Sequence, residues 1–69
     1  MQRVPVDSSN VASVGYDSTT QTLEVEFHGG KVYQYFDVPE PVYQSFLQAS
    51  SKGQFLHQDV KGIYRFARV

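Results

Sequence analysis

The run Thr22-Leu23-Glu24-Val25-Glu26-Phe27-His28 constrains this chain more than any other. Apolar and polar residues alternate at every step, so Leu23, Val25 and Phe27 share one face and Glu24 and Glu26 the other. A period of two is that of a β-strand, and one apolar face with one charged face belongs to an antiparallel sheet wetted on one side. Gly29-Gly30 follows at once. Glycine reaches the positive φ of a tight hairpin turn without steric cost. Lys31 to Asp37, with Tyr33-Gln34-Tyr35 at its centre, then reads as the returning strand. Upstream, Val11 to Tyr16 reads as a strand with Ala12, Val14 and Tyr16 on one face. Asp17 to Gln21 is its turn, because short polar side chains bond locally to the backbone. Three strands in a meander follow.

The pattern changes at Val38-Pro39-Glu40-Pro41. Proline suits the first turn of a helix, and an acidic residue there suits its dipole. Val42, Tyr43, Phe46, Leu47 and Ser50 recur at helical spacing. Ser51-Lys52-Gly53-Gln54 has the form of a capping box and predicts a second short helix carrying Phe55, Leu56 and Val60, with Lys61 in its last turn and Gly62 just beyond. Ile63 to Val69 is read as a fourth, edge strand. Pro5 and the turn-prone Ser8-Ser9-Asn10 leave the start of the chain without an element, so residues 1–7 are expected to form a flexible arm and residues 8–69 a single domain. The fold class is α+β: a three-stranded antiparallel meander, two short helices and a short C-terminal edge strand.

The hairpin loop decides where Tyr33 and Tyr35 point. A two-residue loop, Gly29-Gly30, sets Glu26 opposite Tyr33 and Glu24 opposite Tyr35, so both rings share the wet face. A three-residue loop, Gly29-Gly30-Lys31, sets Phe27 opposite Tyr33 and Val25 opposite Tyr35, on the core side. A slip of one residue reverses every side chain. We favour the second register, which gives the rings apolar partners and avoids a large exposed aromatic patch.

Sixty-nine residues bury a thin core, with little room for a deep cavity. There is no cysteine, which excludes disulfides, thiol catalysis and cysteine-based zinc sites. No stretch approaches the roughly 20 apolar residues that cross a bilayer, and the first residues lack the apolar core of a signal peptide. A cytoplasmic protein without membrane contact is expected. His28 and His57 have no ligand-spaced partners, so no metal or other cofactor is expected. His57 and Asp59 lie two apart on a helix and do not face each other. Gly29-Gly30 precedes a strand and not a helix, so it is a turn and not a phosphate loop. Glu24 and Glu26 sit on a wet sheet face without a cleft between them. No enzyme is expected.

Charge leaves one candidate site. Residues 1–40 hold Arg3 and Lys31 against Asp7, Asp17, Glu24, Glu26, Asp37 and Glu40, a net charge of −4. Residues 41–69 hold Lys52, Lys61, Arg65 and Arg68 against Asp59, a net charge of +3. Tyr64 and Phe66 are interleaved with these cations. Cations neutralise phosphates and aromatic rings stack on bases, so Lys52, Lys61, Tyr64, Arg65 and Arg68 form a candidate nucleic-acid-binding set. The same cations also fit ordinary solvated surface, and Tyr64 and Phe66 also fit a core role that keeps the last strand docked.

The ordered set Val14-Gly15-Tyr16, Leu23-x-Val25-x-Phe27, Gly30-Lys31-Val32-Tyr33-x-Tyr35, Val38-Pro39, Ser51-Lys52-Gly53-Gln54-Phe55 and Tyr64 resembles the KTSC domain, over about residues 8–69. That family is named for the C-terminal domain of some lysyl-tRNA synthetases, and it also occurs as small stand-alone bacterial proteins with a central Tyr-x-Tyr. The resemblance implies a bacterial protein and marks Tyr33, Tyr35, Ser51 and Gly53 as motif positions with structural roles. It supplies no active site. It raises the expectation of an accessory module that binds RNA, in particular tRNA, weakly and in a salt-dependent way. The alternative is a protein-protein interaction module that docks through its sheet edge or an aromatic surface.

Overall fold

The computed structural model describes residues 1–69. The elements run β1 (Arg3–Pro5), β2 (Val11–Asp17), β3 (Thr22–Phe27), β4 (Val32–Tyr35), α1 (Glu40–Gln48), α2 (Lys52–Asp59) and β5 (Phe66–Arg68). The five strands form one antiparallel sheet in chain order, and both helices fall between β4 and β5 in sequence. The chain is α+β, as the alternation and the helical stripe predict.

At the β3–β4 hairpin the pairs are Leu23 with Tyr35 and Val25 with Tyr33. The Phe27 amide donates to the Lys31 carbonyl at 2.8 Å, which leaves His28-Gly29-Gly30 as the loop. The loop has three residues, as in the favoured register, but it begins one residue earlier. Every pair therefore shifts by two, and a shift of two preserves the face. Tyr33 and Tyr35 share a face with Leu23 and Val25, while Gln34 stands over Glu24 on the wet face and donates to its carboxylate at 2.8 Å. Gly29 and Gly30 adopt φ of 100° and 95°, which explains why this loop carries two glycines.

Two expectations for the start of the chain need correction. Residues 1–7 are not simply an arm: Arg3–Pro5 pairs with β2, with Val4 opposite Val14. Pro5 is tolerated because β1 is an edge strand. Gly15 makes room for this segment. A Cβ there would lie 2.7 Å from the backbone oxygen of Gln2. In β2 the inward residue near the start is Val11 and not Ala12. The register shifts between Val11 and Ser13, so Ala12 is the extra residue of a bulge, and Val11 is fully buried.

Helix α1 starts after Pro39 with Pro41 in its first turn, and it buries Phe46. Tyr43 stacks on Tyr16 with ring centroids 4.8 Å apart, and the Tyr16 hydroxyl donates to the Val38 carbonyl. Helix α2 is capped as its sequence predicts: Ser51 Oγ accepts from the Gln54 amide at 3.3 Å. Gly53 admits the Asn10 side chain, whose Nδ2 would lie 2.5 Å from a Cβ at that position. The helix stops at Asp59, so Lys61 lies beyond it and not in its last turn. The Lys61 amide donates back to the Leu56 carbonyl at 2.7 Å, and Gly62 follows with φ of 80°. Strand β5 is the predicted edge strand, shortened to three residues. The core between helices and sheet consists of Val11, Val14, Leu23, Val25, Tyr35, Val38, Phe46, Leu56 and Val60.

Candidate nucleic-acid interface

Period-two geometry sends Tyr33 and Tyr35 to the helix side of β4, and the antiparallel β5 adds Phe66 opposite Tyr35 and Arg68 opposite Tyr33 on that side. The helices cover only part of this face. Tyr35 is 1% exposed, Tyr33 is half-buried and Phe66 is 61% exposed. The Phe66 centroid lies 6.0 Å from those of both tyrosines, and Phe27 meets Tyr33 edge-on at 5.8 Å. These separations are typical of favourable aromatic pairs.

The rings form the wall of a groove of about 350 Å³, lined by Tyr33, Tyr35, Lys61, Gly62 and Phe66. No carboxylate lines it. The Lys61 ammonium stands 5.6 Å from the centre of the Phe27 ring, within cation–π range. Lys61 also lines a second groove of about 330 Å³, together with Asn10, Phe27, His28, Gly53 and Leu56. His28 Nε2 is 2.9 Å from the Ser8 carbonyl, which ties the hairpin loop to the segment before β2. Burial pushes the Tyr35 phenol above its usual range, and the neighbouring Tyr33 adds to the shift. The Tyr35 ring is therefore neutral at neutral pH, and the formal charge of the first groove comes from Lys61.

The five residues of the candidate set do not form one patch. Lys61 lines both grooves, and Arg68 is paired with Tyr33. Arg65 falls on the other parity of the chain, where it pairs with Asp37 at 2.7 Å and lies 5.7 Å from the Phe36 ring. Lys52 donates to the Ala49 carbonyl at 2.6 Å, among Ser8, Ser9, Asn10 and Ser50. Tyr64 is half-buried against the core and lines a shallow hollow with Val42 and Phe55, away from the grooves. Of the motif positions, Tyr33 and Tyr35 form part of the first groove, while Ser51 caps α2 and Gly53 seats Asn10. The set omits Phe27, His28 and Phe66. For Phe27 the strand alternation points to a core role. The place of Phe66 depends on the β4–β5 register, which no local signal encodes across two helices.

No group of three or more His, Cys, Asp or Glu side chains is placed to hold a metal ion. No helix is long and apolar enough to cross a membrane.

Comparison with known proteins supports the same frame. A lysine–tRNA ligase of Trichormus variabilis is 41% identical over 63 residues, covering 91% of this chain and 11% of the ligase. The chain thus spans about a tenth of the length of that relative. An uncharacterized protein of Stutzerimonas stutzeri is 44% identical over 70 residues, covering 100% of this chain and 99% of that protein. The crystal structure of a KTSC domain protein from Yersinia pestis superposes with a TM-score of 0.93 at 42% identity, covering 99% of this chain and 96% of that one. No catalytic family is indicated. The KTSC domain model itself matches residues 7–64, and on these grounds the chain belongs to the KTSC domain family.

Proposed function

We propose that this domain is a small non-catalytic RNA-binding module that works through the groove between β4, β5 and the Lys61-Gly62 turn. The observation that carries the reading is the exposed Phe66 ring beside Tyr33, with Lys61 at the groove wall and no carboxylate lining it. Bases stack on such rings, and a nearby cation neutralises phosphate. The similarity to lysine–tRNA ligases makes tRNA the RNA to try first. Lys61 and Arg68 offer two charges, so binding is weak, with a salt slope of about −1.4 for an unpaired strand. A cytoplasmic setting belongs to the same reading. Titration of labelled tRNA at low and moderate salt tests it. Binding that weakens with salt and falls about five- to tenfold in Phe66→Ala supports the proposal, and no binding at either salt overturns it.

A second reading rests on a different observation. Strand β5 is an exposed edge of the sheet, flanked by the exposed Ile63 and Val69. Such an edge can accept a strand from a protein partner. A partner recovered by wild type, and lost when Ala67→Pro blocks the edge, would favour this reading over the first.

A further inference from the structure

We propose that the ligand of this face is an unpaired dinucleotide step that straddles Lys61, with one base in each groove and the linking phosphodiester at the ammonium. The inference rests on the RNA-binding reading above and commits that reading to single-stranded RNA. Its ground is that two grooves of nearly equal size share one cation. One groove is walled by Tyr33, Tyr35 and Phe66, and the other contains Phe27, His28 and Asn10. Phe27 of one groove meets Tyr33 of the other edge-on, and the Lys61 ammonium common to both lies 5.6 Å from the centre of the Phe27 ring. An aromatic ring on either side of a positive charge mirrors a dinucleotide, which has a flat base on either side of one negative charge.

Size and charge support the match. At about 350 and 330 Å³, both grooves lie at the low end of the range for small-molecule sites. That suits single bases and not the width of a duplex, whose bases are already stacked and paired. Lys61 is exposed and forms no ion pair with a carboxylate, so its charge is free for a phosphate. The two grooves differ in chemistry. The one containing Phe66 offers mainly ring faces, whereas the other adds the Asn10 carboxamide and the His28 imidazole, which can bond to the edge of a base.

The test is an amide-resolved NMR titration of the full chain with uridine monophosphate, the dinucleotide UpU and a fully paired RNA duplex, for wild type and Lys61→Gln. The dinucleotide is expected to bind about tenfold more tightly than the mononucleotide, because a second base is engaged. It should move amides on both sides of Lys61, at Gly62 and Phe66 and at Asn10 and His28. In Lys61→Gln its affinity should fall to that of the mononucleotide, while the unperturbed spectrum shows that the fold is kept. Arg65→Gln, on the opposite face of the sheet, should leave the dinucleotide affinity unchanged. Equal affinity for the mononucleotide and the dinucleotide, shifts on one side only, or a duplex that binds as well as the unpaired strand would overturn the proposal. If tRNA still binds while the dinucleotide advantage is missing, only this inference falls. If neither binds, the broader RNA reading falls with it.

Discussion

Tyr33 and Tyr35 are the same residue on the same strand, two positions apart and pointing to the same side, yet they serve in different regions of the molecule. Tyr35 lies among the nine fully buried core residues, a cluster that also holds Val38, Phe46 and Leu56. Tyr33 lies at the rim of that core, with Phe27 and Phe66 as its ring neighbours and a groove beside it. Their direction comes from the strand period, and their difference comes from cover. Helices of nine and eight residues roof only part of the inner face. A residue in the roofed part contributes mainly to stability, and one in the open part is available to a ligand.

Substitution at the two positions gives the largest expected effects. Tyr35→Ala should cost about 3–5 kcal/mol, as loss of a fully buried aromatic does. Tyr33→Ala should cost about 1–2 kcal/mol, because less apolar area is withdrawn from water. Denaturant unfolding measures both, and equal losses would break the comparison.

Alkaline pH tests the burial of Tyr35 without changing volume. The Tyr35 phenol is raised by burial, so the folded state holds its proton above about pH 10, where the unfolded chain has begun to lose it. The folded state then binds more protons, and stability falls as pH rises through that window. The contribution is fully present below about pH 10. Tyr35→Phe should flatten the decline relative to wild type. Two parallel curves would mean that Tyr35 is not the group responsible.

Phe66→Ala sharpens the comparison from the open side. The ring is 61% exposed, so the loss of stability should stay below about 1 kcal/mol, while RNA affinity falls about five- to tenfold. The smallest effect should come from Arg65→Ala on the wet face. It removes an exposed ion pair with Asp37, worth less than about 1 kcal/mol, and should leave RNA affinity in place.

Local signals carried most of the fold. The alternation over residues 22–28 marks β3, the glycine pair its loop, and Ser51 with Gln54 the start of α2. They also placed both tyrosines on the inner face, although the loop begins at His28. Features that depend on distant neighbours were hidden. Strand β1 exists because the edge of β2 was free and because Gly15 has no Cβ to obstruct it, and Pro5 gives the opposite impression when read alone. The bulge at Ala12, which turns Val11 inward, arises from pairing with β3 and has no mark of its own. The candidate site was legible as composition, in the cations and rings after residue 50. It was not legible as geometry, because Arg65 and Arg68 take opposite faces only once β5 is registered against β4.

The sheet keeps its strands in chain order, and this has a kinetic consequence. The pairs β1–β2, β2–β3 and β3–β4 each close over a short loop, and local closure is fast. The β4–β5 pair instead waits for the chain to return across both helices, and none of the three residues of β5 is buried. That strand is expected to dock last and to detach first, so its opening does not require the rest of the sheet to unfold. The amides of Phe36 and Val69, bonded to Arg65 and Val32 across this seam, should exchange with solvent faster than those between β2 and β3. Phe66 therefore stands on a strand that opens without the rest of the sheet.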